Sequence, residues 1–422
     1  MRDISTENYY SKKNKILSVL FFATLIFQTT ALRFLFSIEN ISRISNILIL
    51  AIWIMYSINS ISKDLYSKKV WYYYLIPGIM ITLGMLINFT ISVSGNLKFI
   101  GAYGLTIPWF AYLAIPGLMN SRVINTKILW RYYYYFMLWI NIFGLSEYYL
   151  LFAGIMEMRE LSTPYAVYLA GYSSLLYLLG DGVAYYRYYG CFLEPGTTSM
   201  YLLPAIAYAY YQKKYLGIAV FSVALYLTDS LGGFISFVLL IIVFIYTYVG
   251  DITRNRILIP MIISLLIGSL AWFIVGDFLM TKYIGKNLSA EVRVDNVTST
   301  ISNFPELIIN NITGLRLRGS TGEYLKSKNY YGSNFIVGSY LNYGGALGLF
   351  GYISVLWMSF SLSFKSIQLK RLSNESKIVF SSLIVIIPFI VQRTTIWESA
   401  LFAFLFAPTL IRVLKGDNSL FE

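Results

Sequence analysis

The chain contains no histidine. It therefore lacks the side chain that most often acts as a general base near neutral pH, which is also the commonest nitrogen ligand for zinc. Cys191 is its single cysteine, so no intramolecular disulfide can form. Charge is scarce too: Asp, Glu, Lys and Arg make up 13% of 422 residues, about half the share usual in soluble domains. No Walker sequence, Gly-rich dinucleotide turn or carboxylate cluster of metal-ligand spacing is present. Neither a cofactor nor a metal is expected.

Apolar surface is abundant. Hydrophobic residues account for 57% of the chain, and its mean hydropathy is +0.62. A membrane-crossing helix needs about 20 apolar residues, and runs of that kind recur along the sequence. Continuous runs exclude the alternating pattern of a β-barrel. Many of the 38 tyrosines cluster at the ends of these runs, as in Trp71-Tyr72-Tyr73-Tyr74 and Tyr132-Tyr133-Tyr134-Tyr135. Their rings suit the headgroup level of a bilayer. Part of the excess of Ile, Asn, Lys and Tyr resembles the bias of an AT-rich genome. The net charge of +13 is largely accounted for by basic residues in cytoplasmic loops, so a nucleic-acid partner is not expected.

The runs predict twelve helices, at roughly 16–36, 44–62, 72–94, 98–119, 132–154, 196–212, 215–229, 231–249, 257–276, 335–361, 378–395 and 397–412. The seventh is short, so about 11 to 13 spans fit the pattern. Every second loop is basic (Lys63, Lys68 and Lys69, for example, or Lys213 and Lys214), which places both termini in the cytoplasm. Lys12, Lys13 and Lys15 precede the first run without a small-residue cleavage site, so an uncleaved helix is expected there. The expected fold class is all-α: a polytopic integral membrane protein with residues 1–422 as one membrane domain. Two segments, 155–194 and 277–334, then face outward. No internal repeat is visible.

Chemistry-bearing residues concentrate in those two segments. Arg187 and Glu194 flank Gly190-Cys191-Phe192, and Pro195 follows at the first turn of the sixth helix. Glu194 is then either a cap at the positive end of that helix or a functional carboxylate, and Arg187 either an interface anchor or an anion ligand. Segment 277–334 holds Arg293, Arg316, Arg318 and Glu323 among twelve charged residues. It is either a solvated loop or a cap presenting arginines to an anionic substrate. Arg393 lies at the outward turn between the last two helices and either snorkels to the interface or faces the same cavity. Glycines 338, 344, 345, 348 and 351 suit close helix packing or a lipid-lined groove.

Arg187-x-x-Gly190-x-Phe192-x-Glu194-Pro195 resembles a segment of the bacterial O-antigen and capsule polymerases, the Wzy family. Ser230-Leu231-Gly232-Gly233 resembles the Ser-Arg-Gly-Gly turn of the related O-antigen ligases, with leucine where arginine is usual. Ser333-Asn334 followed by Tyr343-Gly344-Gly345-Ala346-Leu347-Gly348 resembles their His-Asn pair and glycine-rich helix, with serine replacing histidine. The resemblance implies a GT-C-like glycosyltransferase without a metal, polymerising polyprenyl-diphosphate-linked oligosaccharide units on the outer face of the bacterial inner membrane. Undecaprenyl-diphosphate-linked oligosaccharide, membrane lipids and a chain-length regulator are the implied partners. Arg187, Arg293, Arg316, Arg318 and Arg393 become diphosphate ligands, because a guanidinium fork matches phosphate oxygens. Glu194, Arg187 and Glu323 become the catalytic set, with Asp229 a further base candidate. A lipid-linked oligosaccharide flippase, a small-solute transporter and an O-antigen ligase are the alternatives.

Overall fold

In the computed structural model the described residues are 126–157, 159–162, 167–178, 187–252, 345–354 and 374–392, with scattered positions within 16–35, 76–84 and 298–305 and at 51 and 357. Helix α1, Thr126–Phe152, is 27 residues long. Leu129, Trp130, Tyr133, Tyr134, Met137, Leu138, Asn141 and Tyr148 are buried on it. Their three- and four-residue spacing puts them on one face. The opposite face leaves Tyr135, Trp139, Phe143 and Tyr149 exposed. Gly154, with φ 69°, ends the helix in a left-handed residue, and the Ile155 N–H returns to the Leu150 carbonyl at 3.0 Å.

A small sheet follows. Strands β1 (Arg159–Ser162), β2 (Val167–Ala170) and β3 (Leu175–Leu178) form an antiparallel sheet in that order, with Arg159 opposite Ala170 and Tyr168 opposite Leu178. An isolated bridge joins Leu175 to Gly190, tying the sheet to the segment that precedes the next helix.

Helix α2, Pro195–Tyr211, is the centre of the core: all but Thr197, Tyr210 and Tyr211 are buried. Helices α1, α3 (Tyr215–Leu227), α4 (Leu231–Ile252) and α6 (Asn374–Gln392) pack around it. A shorter helix, α5 (Gly345–Ser354), brings Gly351 so close to Pro77 that a Cβ would lie 2.7 Å from its carbonyl oxygen. Close packing thus accounts for that glycine. Far along α2, the Tyr211 hydroxyl meets Thr247 Oγ1 at 2.8 Å and Ser381 Oγ at 3.1 Å, knotting α2, α4 and α6 together. At the α2–α3 turn, Lys214 Nζ sits 4.3 Å and 4.6 Å from the ring centres of Tyr134 and Tyr135.

Among the described residues, helices stand at the runs predicted at 132–154, 196–212, 215–229, 231–249 and 378–395, but the membrane architecture is corrected. Among the described residues one helix is long and apolar enough to cross a bilayer, in the window Leu231–Tyr248 of α4 with mean hydropathy 2.3. The physical reasons are specific. Helix α3 has 13 residues and spans about 20 Å, short of the roughly 30 Å hydrocarbon core. Helix α2 is apolar all round because other helices enclose it. Helix α1 is long but carries Arg131, Asn141 and Glu147 among its tyrosines, and α6 carries Lys377, Ser381 and Ser382. The all-α expectation is corrected as well, since three strands occupy part of 155–194.

With the twelve-span bundle fall the functions and location that need one. These are polymerisation on the outer face of the inner membrane, the flippase and ligase alternatives, and the multi-pass placement with cytoplasmic termini. The runs predicted at 98–119 and 397–412 lie outside the described residues, as do those at 44–62 and 257–276 except for Ala51 and nothing else.

Candidate functional site

The two motifs singled out from sequence meet in space. Helix α3 is C-capped by Thr228, and Asp229 turns the chain with φ 47°, a left-handed conformation that Asp tolerates better than most residues. Ser230 then caps α4: its Oγ accepts the Gly233 N–H at 3.3 Å, and its carbonyl accepts the Phe234 N–H at 2.9 Å. The half-buried guanidinium of Arg187 lies across this turn. Its Nε donates to the Thr228 carbonyl at 3.2 Å and its Nη2 to the Asp229 carbonyl at 2.7 Å. The adjacent Tyr188 N–H donates to the Leu227 carbonyl at 2.9 Å. A cation placed on the last carbonyls of α3 offsets the negative end of its dipole.

The start of α2 abuts the same turn. Ser199 Oγ donates to the Pro195 carbonyl at 3.0 Å and sits 2.8 Å from Thr228 Oγ1. A Cβ on Gly233 would lie 2.6 Å from Ser199 Oγ, so only glycine lets α4 approach α2 this closely. The N-terminus of α4 therefore lies beside the carbonyls that hold Arg187, with Ser199 of α2 packed against it. In the first turn of α4, the amides of Leu231 and Gly232 have no intrahelical acceptor. Glu194 is the extended N-cap residue of α2 (φ −146°, ψ 142°), and its side chain makes no capping hydrogen bond. The cap is formed by its carbonyl, which accepts the Thr198 N–H at 3.1 Å, and the carboxylate itself is exposed.

Behind the corner the segment is tightly seated. Gly190 has φ 56°, and Thr198 Oγ1 donates to the Tyr189 carbonyl. Tyr188 is fully buried, and its hydroxyl donates to Asn141 Oδ1 of α1 at 3.1 Å. Burial holds its phenol well above the ordinary range, with Cys191 and Glu147 adding to the effect. Burial likewise pushes the Cys191 thiol up, which makes it a poor nucleophile. The Tyr148 phenol is raised first by burial, then by Tyr149 and by the charge of Asp229.

Arg187 is thus brought onto the turn that holds Asp229 and Ser230, and Glu194 stands at the N-cap of α2, the helix whose Ser199 meets Thr228. Arg293, Arg316, Arg318, Glu323 and Arg393 lie outside the described residues. Sequence reasoning missed Glu147, whose carboxylate takes hydrogen bonds from Ser173 and Ser174. A lone carboxylate inside the run 132–154 was the available signal. Among the described residues no group of three or more Cys, Asp and Glu side chains comes together in a metal-binding arrangement. No family model matches the chain, and no curated protein matches it.

Proposed function

We propose that the Arg187 corner binds the diphosphate of a polyprenyl-linked glycosyl donor, and that the chain is a glycosyltransferase in which arginine, not a metal, counters the leaving charge. One observation carries it: Arg187 is held by two backbone carbonyls, those of Thr228 and Asp229, directly before the N-terminus of α4. A guanidinium has five N–H donors. Among the described residues Nε and Nη2 serve the turn, and the remaining edge suits phosphate oxygens. The N-terminus of α4 adds positive potential to the same place.

The reaction follows from these parts. A hydroxyl of the acceptor attacks the anomeric carbon, and the bond from that carbon to the diphosphate oxygen breaks. The bonding pair leaves on the diphosphate, where Arg187 and the Leu231 and Gly232 amides stabilise it. The exposed carboxylate of Glu194 accepts the hydroxyl proton.

The test is single turnover of a polyprenyl-diphosphate-linked oligosaccharide with an acceptor sugar, following release of polyprenyl diphosphate. Release that falls on the order of a hundredfold or more in Arg187→Lys and Glu194→Gln supports it. Release at the wild-type rate in both variants, or none from the wild type, contradicts it.

A further inference from the structure

We infer that Glu147, which touches no reacting atom, is the positioning residue that holds Arg187 and Glu194 in place, an inference that rests on the diphosphate site proposed above. The geometry begins on α1. The Glu147 carboxylate accepts the Ser173 N–H at 2.8 Å on Oε1 and 3.1 Å on Oε2, the Ser173 hydroxyl at 2.9 Å and the Ser174 hydroxyl at 2.7 Å. These donors belong to the turn between β2 and β3, which closes with the Gly171 N–H on the Ser174 carbonyl at 2.9 Å. A Cβ on Gly171 would collide with Glu147 Oε2, so the turn lies flat against the carboxylate.

From there the connection runs through one residue. Leu175 follows the turn directly; its N–H donates to the Gly190 carbonyl at 2.7 Å, and its carbonyl accepts the Tyr189 N–H at 3.2 Å. Arg187 lies three residues before Gly190 and Glu194 four residues after it. The Arg187 segment is thus pinned on one side by the end of α3 and on the other by a turn whose position Glu147 sets. Asn141, six residues earlier on α1, holds Tyr188 at 3.1 Å and supports the same segment. A partly buried carboxylate is costly unless its acceptors are satisfied, and three charge-assisted donors satisfy this one.

The side chain is matched in length and valence. Aspartate is one methylene short of the turn. Glutamine keeps an oxygen for the Ser173 N–H, and the Ser174 hydroxyl can rotate to accept from its amide. Conservative rescue by glutamine but not by aspartate therefore distinguishes positioning from bulk.

The experiment is hydrogen–deuterium exchange on the full chain, read at the peptide covering 187–194, alongside equilibrium binding of inorganic pyrophosphate. Glu147→Ala and Glu147→Asp are expected to speed exchange there and weaken pyrophosphate binding on the order of tenfold, while Glu147→Gln stays near wild type. Thr247→Val, which loosens the distant Tyr211–Thr247–Ser381 knot, is expected to lower thermal stability without either effect. If Glu147→Ala does not fold, Ser174→Ala removes one donor and is expected to give the same change in smaller measure. Wild-type exchange at 187–194 in these variants overturns the inference, and so does equal acceleration in Thr247→Val. A wild type that binds no pyrophosphate, with the exchange response intact, sinks the diphosphate site and leaves the positioning role standing.

Discussion

Three residues test the account one at a time. Gly233 faces Ser199 with no room for a Cβ, so Gly233→Ala forces α2 and α4 apart. Overpacking of this kind costs about 1–3 kcal/mol, to be read as a lower denaturant midpoint with unchanged slope. Lys214 hydrogen-bonds the Tyr135 hydroxyl at 3.5 Å, and that bond together with its charge lowers the phenol from its ordinary value. In Lys214→Met the phenolate absorbance of Tyr135 is expected to appear at higher pH. The sign follows from the depression: the contribution is present above the unfolded phenol value and is lost as pH falls through the folded one. Cys191 is buried with its thiol raised, so a thiol reagent should label the native chain no faster than it unfolds. Rapid labelling of folded protein contradicts the packing described.

At the scale of elements, much was legible. The predicted start of the sixth helix, about 196, lies one residue from Pro195, and those of the seventh and eighth, 215 and 231, coincide with Tyr215 and Leu231. Local chemistry explains this: Pro195 suits a first helical turn, while Asp229 and Ser230 break and restart the chain. The strands were not legible. The first, Arg-Glu-Leu-Ser, has no apolar alternation, and its pairing is fixed by partners beyond its own four residues. Nor does apolarity reveal what covers a helix: α2 is enclosed by protein, and its apolar run reads like a span. The clamp by Glu147 was invisible for a similar reason, since its donors come from residues 26 and 27 positions away. At this scale Gly217→Ala is the natural probe. A Cβ there would lie 2.6 Å from the Tyr134 ring, so α1 and α3 should separate, with a loss of about 1–3 kcal/mol in chemical unfolding.

At the scale of the molecule, the described residues form a central helix with four helices packed around it, and the α3–α4 turn, the first turns of α2 and the three-stranded sheet meet the segment that carries Arg187. The sheet holds the Arg187 segment from one side, and the α3–α4 turn holds it from the other. Residues from distant parts of the sequence thus set the place of a single guanidinium, which is the arrangement a preorganised anion site needs. The far knot of Tyr211, Thr247 and Ser381 stabilises the same bundle without entering that corner. Stability and ligand recognition are therefore expected to separate in mutants of the two ends. The most direct measurement is calorimetric titration of the full chain with inorganic pyrophosphate, comparing wild type with Arg187→Gln after both are shown to be folded. Saturable binding by the wild type, weakened on the order of tenfold or more in the variant, is the predicted result. Equal affinity in the two proteins, or no binding by either, contradicts it.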